Sequence, residues 1–289
     1  MSSNRKDTWV WFAVGIMTAG LLAPAVARGQ AGAAPSNLSP PGDNNLTRTD
    51  DDRAAESLEE RYMSQTLGDP KEEAAYQAFH KADEPAKKIK LGNAFLAKYP
   101  GDHYSEAVYE ELSHSYYDKN DLADFYTYSD KGLSLFPDDV PLLALSGWVI
   151  PRAFTPNEPD ADKKLDKAEI QERHALSVLG TMPKPPAYTD QQFVEFKTGE
   201  AAVAHSGLGL VYFRQEKYEE SAKELEAAVG SETKGDPSDF FVLGADYENL
   251  GKFKEAADAF DHCAQVAGSM QSQCKQYSAD ALKRAAEAK

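Results

Sequence analysis

An all-α fold of stacked helical hairpins, an α-solenoid, is predicted by three observations. Seven positions repeat at a spacing of 35 residues: Leu208/Leu243, Gly209/Gly244, Tyr212/Tyr247, Tyr218/Phe253, Ser221/Ala256, Leu225/Phe260 and Ala228/Cys263. Each pair keeps size and polarity, in the order large, Gly, aromatic, aromatic, small, large, small. The steps within each copy are those of helices, and a period in this range marks a stacked helical repeat.

The first half of the echo reads as one helix and the second as its partner. Leu208, Gly209 and Tyr212 lie at i, i+1 and i+4, on one helical face. A mid-helix glycine costs about 1 kcal/mol against alanine. Gly209 is therefore expected to serve packing, by letting a neighbouring helix come where a side chain would collide. Tyr218, Ser221, Leu225 and Ala228 step by 3, 4 and 3 residues and form the stripe of the partner helix. The second copy, 237–267, repeats this layout with a turn at Asn249, Leu250, Gly251 and Lys252. The echoed positions are thus expected to form a fixed seam inside each hairpin.

These segments resemble tetratricopeptide repeats, whose 34-residue unit carries Leu-Gly-x-x-Tyr, then an aromatic, Ala, Phe, Ala and a closing Pro. Carried upstream, the register picks out degenerate copies. One has Tyr109, Leu112, Tyr116, Leu122, Gly132 and Pro137 over 106–139. Another, over 69–102, closes with Phe95, Leu96, Tyr99 and Pro100. A third, over 140–185, has Gly147 in its first helix and Leu165, Ala168, Ala175 and Leu176 in its second. The run 150–159, with Pro151, Pro156 and Pro159, interrupts that unit and breaks its helix. With 191–235 and 237–269 the resemblance implies a right-handed α-solenoid of about five hairpins over 69–269.

An open stack needs a polar-faced helix to cover its last apolar surface. The segment 270–289 fits, with a thin stripe of Ala279, Leu282, Ala286 and Tyr277, and Lys275, Lys283, Arg284 and Lys289 around it.

At the other end, Arg5 and Lys6 precede an apolar run from Trp9 to Ala27 that finishes in Pro24, Ala25, Val26 and Ala27. Residues 1–27 thus have the layout of a secretory signal peptide. The run is also about long enough to span a bilayer, so the alternative is a retained membrane anchor. Either one places the repeats across the membrane. Residues 28–52, rich in Ala, Gly, Pro, Ser, Asn and Asp, read as a disordered tether, and 53–68 as a lead-in helix. The stretch 86–118 is similar to exported bacterial repeat proteins, including envelope-assembly factors. It carries Phe95, Lys98, Tyr99 and Pro100, then Tyr104, Ala107, Tyr109 and Leu112.

An exported setting gives the two cysteines a role. Cys263 sits late in the last second helix and Cys274 early in the cap, so oxidation would staple the cap to the stack. Closing a loop of this size stabilises by about 3 kcal/mol on a loop-entropy model. The other reading is that Cys263 is simply the small residue its helix needs.

An enzyme is not expected. There is no Gly-x-Ser-x-Gly elbow, phosphate loop or dinucleotide fingerprint; Gly207 and Gly209 lie inside a helix. The six histidines (His80, His103, His114, His174, His205 and His262) are scattered, and none has metal spacing, so no cofactor or metal is expected. The net charge of −16 argues against nucleic acid and anionic head groups, and fits a basic or neutral partner. The membrane enters only through an uncleaved N-terminal helix.

The resemblance implies binding of a protein or peptide segment in a concave groove lined by first-helix residues. By register these are His114, Tyr117 and Asp118; Ala144, Trp148 and Arg152; Ser206, Leu210, Phe213 and Arg214; Phe241, Ala245, Glu248 and Asn249. Relatives that grip C-terminal carboxylates use groove Lys and Asn. Phe241 and Ala245, or Ser206 and Leu210, stand there instead, so that mode is not expected. Two competing classes stay open. One is a carbohydrate-binding, small-ligand or enzymatic module using Trp148 and the 150–160 loop. The other is a membrane-anchored envelope-assembly factor.

Overall fold

The computed structural model describes residues 70–288, apart from 103, 157, 187 and 232–234. The expected signal peptide or anchor, tether and lead-in helix lie outside the described residues. The described residues form eleven helices and no strand, so the fold is all-α. They divide into two compact units, 70–137 and 138–288.

The first unit holds α1 (Pro70–His80), α2 (Pro85–Lys98), α3 (Ser105–Asp118) and α4 (Leu122–Leu135). The second holds α5 (Val140–Arg152), α6 (Ala161–Thr181), α7 (Asp190–Arg214), α8 (Tyr218–Ser231), α9 (Pro237–Asn249), α10 (Phe253–Gln265) and α11 (Gln271–Glu287).

Local chemistry sets where the helices begin. The Leu142 amide donates to Asp139 Oδ1 at 3.0 Å, and the Ser238 amide to Asp236 Oδ1 at 2.8 Å. Thr189 and Gln192 close a reciprocal capping box at the start of α7. Such caps contribute about 1 kcal/mol each. Pro85, Pro141 and Pro237 sit in first turns, where the missing N–H has no intrahelical partner to lose.

The 150–159 run ends α5, as expected, but not at its first proline. Pro151 lies inside the helix, which continues to Arg152. A proline in the last turn removes only the bond to the carbonyl four residues back, and the helix stops before a second turn is affected. The chain then runs through Phe154 to Asp160, whose φ of 64° starts α6.

The 35-residue echo corresponds to packing within two antiparallel pairs. A Cβ on Gly209 would stand 2.5 Å from Leu225 Cγ, and one on Gly244 would stand 2.6 Å from Phe260 Cε1. Each glycine lies 16 residues before the side chain that fills its space, so the same close approach occurs in α7–α8 and in α9–α10. The echoed tyrosines bond backwards. The Tyr212 hydroxyl donates to Glu169 on α6 at 2.9 Å, and the Tyr247 hydroxyl to Glu226 on α8.

Two echoed positions correct the expectation of a seam confined to each hairpin and alike in polarity. Leu243 on α9 is buried in a cluster with Leu210 and Phe213 of α7, Ala222 and Leu225 of α8, and Ala259 of α10. It therefore joins one hairpin to the next, because its helix is flanked on both sides by neighbours. Ala256 does not reproduce Ser221. The Ser221 hydroxyl lies 2.8 Å from the Gly209 carbonyl, whereas Ala256 has no polar group and is buried in an apolar cluster with Phe241, Phe260 and Cys263. The pair conserves small size, as close helix approach requires, but not polarity.

In the first unit Asn93 on α2 donates to the Tyr116 hydroxyl on α3 at 3.0 Å. The core of that unit includes Phe79, Phe95 and Leu112, with Gly92 held against Phe79 and Leu112.

Cys263 on α10 and Cys274 on α11 are disulfide-bonded, with Cα atoms 5.8 Å apart. α11 buries a different face from the expected one, with Cys274 on it. Met270, Cys274, Ser278 and Ala281 are buried, while Ala279, Leu282 and Ala286 are not, Leu282 being 53 % exposed. Tyr277 packs on Phe241 and Phe260, at 5.1 and 5.3 Å between ring centroids. The apolar stripe read from composition missed this because Cys and Ser, not Leu, occupy the inward positions.

Candidate functional site

A polar cluster built on Arg152 joins three first helices of the second unit. Its position at the C-terminus of α5 follows from the two residues that the helix extends past Ile150. The Arg152 guanidinium donates from Nη1 to the Trp148 carbonyl at 3.1 Å. Nη2 donates to Ser206 Oγ on α7 at 2.9 Å and to Asp239 Oδ1 on α9 at 3.1 Å. Ser206 in turn donates to the same Asp239 oxygen at 2.8 Å. The guanidinium carbon lies 3.7 Å from the centroid of the Trp148 ring, a close cation–π contact. Only about a tenth of the Arg152 side chain is open to solvent (12 %).

A second guanidinium stands beside the first. Arg214, at the C-terminus of α7, donates from Nε to the Pro151 carbonyl at 3.1 Å and faces the Phe154 ring at 5.6 Å. Burial pulls its pKa down to about 10, and the charge on Arg152 acts in the same direction. Two arginines, an indole and a phenyl ring thus meet where α5 ends against α7. Planar guanidinium forks held this way suit carbonyl and carboxylate oxygens.

Of the expected groove residues, Trp148, Arg152, Ser206 and Arg214 come together here; Trp148, Ser206 and Arg214 are themselves buried, and Arg152 keeps a partly open edge. The rest do not. Leu210 and Phe213 are buried against Leu225, Val242, Leu243 and Ala245. Phe241 is buried with Ala256, Phe260, Cys263 and Cys274. These three are interior contacts between neighbouring helices rather than lining open to a partner. Ala144 is fully buried as well. Glu248 is half-buried and accepts from Arg284 on α11 at 2.7 Å. Burial raises its carboxyl, and Arg284 works against that shift. Asn249 is exposed and donates to the Ala245 carbonyl at 2.9 Å. His114, Tyr117 and Asp118 belong to the other unit, at the end of α3, where Tyr117 meets Phe125 edge-on at 6.1 Å.

No family model matches the chain, and no curated protein matches it.

Among the described residues no group of three or more His, Cys, Asp or Glu could hold a metal ion. None of the described helices is long and apolar enough to cross a membrane. His205 pairs with Glu224 at 2.6 Å, which lowers the Glu224 carboxyl chiefly through that hydrogen bond.

Asp239 and Glu172 are among the buried acids that no sequence motif marks. Asp239 follows the cap residue Asp236 and its Pro237, where first-turn acidity is ordinary. Glu172 is fully buried on α6, between Gly147 and Gly207. A register signal for it existed. Leu165, Ala168, Glu172 and Ala175 step by 3, 4 and 3, as do Tyr218, Ser221, Leu225 and Ala228. Glu172 therefore stands where Leu225 and Phe260 stand in the later helices.

Proposed function

We propose that the chain is an exported, non-catalytic scaffold that holds a peptide or protein segment along the face of its first helices. In this reading α1–α2, α3–α4, α5–α6, α7–α8 and α9–α10 are five tetratricopeptide-type hairpins of a right-handed solenoid, and α11 is the cap. The repeated glycine approach in the last two pairs supports the architecture. Export is supported by the N-terminal run with its basic start and small-residue end, and by the Cys263–Cys274 bond.

The observation that carries the binding role is the Arg152–Ser206–Asp239 network. It takes one residue from each of three successive first helices, α5, α7 and α9, and so lies on the face they share. Trp148, Phe154 and Arg214 sit beside it. Arg and Trp are the residue types that most often anchor a bound partner. The net charge of −16 favours a neutral or basic segment, whose carbonyl oxygens the guanidinium edge would meet.

Affinity capture from envelope extracts tests the role with Arg152→Lys and Trp148→Phe against the parent. Lys keeps the charge but loses the planar fork. A loss of about tenfold in retained partner, some 1.4 kcal/mol, is expected with helix content unchanged. Unchanged capture by both variants would remove this face from the account.

A further inference from the structure

Glu172 is the acid that the interaction reading leaves unused. It occupies a register position filled by Leu225 and Phe260 elsewhere, and it is fully buried. Its side chain fills the space left by two glycines, Gly147 on α5 and Gly207 on α7. A Cβ on Gly147 would stand 2.5 Å from its Cδ, and one on Gly207 would collide with Oε1. Neither carboxyl oxygen has a hydrogen-bond partner among the described residues. Ionised, such a group would be a lone charge in a dry seam, which costs several kcal/mol or more. The folded chain avoids this by keeping the proton on Glu172.

Two charged groups on the packed helices reach Glu172. Arg152 on α5 favours its ionised form and Glu200 on α7 opposes it, while burial, the largest effect, holds the carboxyl well above its usual range. On α6 itself, Glu169 and Arg173 are engaged with Tyr212. The cation that would answer a charge on Glu172 is thus the one at the centre of the first-helix face.

We propose that the protonation state of Glu172 governs the placement of Arg152, making the face around Trp148 pH-gated through the seam of α5, α6 and α7. With the proton on, Glu172 asks nothing of Arg152, which stays with Ser206, Asp239 and the Trp148 ring. When Glu172 loses its proton to solvent, the new carboxylate draws the guanidinium away from the indole, and Asp239 keeps its bond from Ser206. The meaning of this gate for binding rests on the scaffold role above; the movement itself does not.

Trp148 reports the movement, because its ring carries the guanidinium. Replacing Trp9 and Trp11 with Phe leaves Trp148 as the sole tryptophan of the chain. Its emission is followed from about pH 5 to about pH 9, below the usual tyrosine range and about a unit below the pKa of about 10 that burial gives Arg214. Circular dichroism at each pH verifies the helices. The expected result is a single transition in this background, with its midpoint far above an ordinary glutamate's. It should be lost in Glu172→Gln, which is neutral and of the same shape, and kept in Asp246→Asn. Glu172→Leu, which restores the side-chain type of Leu225, should also be flat and serves if the Gln variant folds poorly. A flat trace with Glu172 in place, or an unchanged transition in the Gln and Leu variants, would overturn the proposal. No partner is present in the titration, so its failure leaves the scaffold role standing, and failed capture leaves the gate standing.

Discussion

Asp246 Oδ2 lies 2.6 Å from the hydroxyl of Ser221, and that hydroxyl also lies 2.8 Å from the Gly209 carbonyl. One hydroxyl proton cannot serve both acceptors. The arrangement closes if Asp246 is carried as the acid. It then donates to Ser221 Oγ, which donates to the carbonyl, and the chain links α9, α8 and α7. Burial, the largest cause, pushes Asp246 up to about 8, and Glu219 adds to it; a Ser221 hydroxyl donating to the carboxylate would oppose the shift, and that is the bond the acid form replaces.

The sign of the pH effect follows from linkage. The folded pKa lies above the unfolded one, so the contribution is complete below about pH 4, where both states hold the proton. It declines as pH rises towards 8, because only the unfolded state has released its proton. The loss is up to about 6 kcal/mol for a shift of this size. Asp246→Asn keeps a donor for Ser221 and removes the titration. Urea denaturation at acid and at mildly alkaline pH should show a smaller decline in midpoint for Asn than for the parent. Equal declines would mean Asp246 is ionised in the folded chain.

Gly244 and Gly180 make opposite demands on substitution. Gly244→Ala places a Cβ 2.6 Å from the Phe260 ring and should destabilise by about 1–3 kcal/mol through overpacking. Gly180, on α6, has nothing within 4 Å of an added Cβ. Gly180→Ala should stabilise by about 0.5–1 kcal/mol, since alanine loses less freedom on folding. Thermal melts of the two variants separate packing from helix propensity.

The disulfide should show in mass and in stability. Intact mass with and without reductant should differ by two protons. Reduction, or Cys274→Ala, should cost about 3 kcal/mol by loop entropy. Hydrogen exchange should then rise first in α11, whose buried face is narrow. Unaltered exchange in α11 would mean that Tyr277 and the Arg284–Glu248 pair hold it without the bond.

Legibility in the sequence followed the physics of each position. Helices and their pairing were readable because Gly209, Leu225, Gly244 and Phe260 repeat a steric fit, and a steric fit leaves a periodic trace. The cysteine pair was readable because only one partner exists for each. The burial of Phe213 and Phe241 was not. A first-helix aromatic has the same spacing whether it faces a partner or the next helix, and only the packed neighbours decide. The reach of Leu243 into the preceding hairpin was hidden for the same reason. Ser221 and Ala256 share a size that the register shows, but the hydroxyl's partner on α9 lies outside any repeat pattern. Glu172 went unseen for a related reason. An acidic residue on a charged helix such as α6 looks solvated until the register shows that its position belongs to a core side chain. The Arg152 network needed three helices at once, with Ser206 and Asp239 being 54 and 87 residues away. No local pattern encodes a contact of that range.

Photocrosslinking in envelope preparations tests the binding face most directly. A probe is placed at Asn249, exposed at the end of the first helix α9, and compared with Lys223 and Lys254, exposed on the second helices α8 and α10. Adducts to a discrete partner from Asn249, with none from Lys223 and Lys254, are the predicted result. Adducts from Lys223 and Lys254 alone, or equal adducts from all three positions, would contradict binding along the first helices.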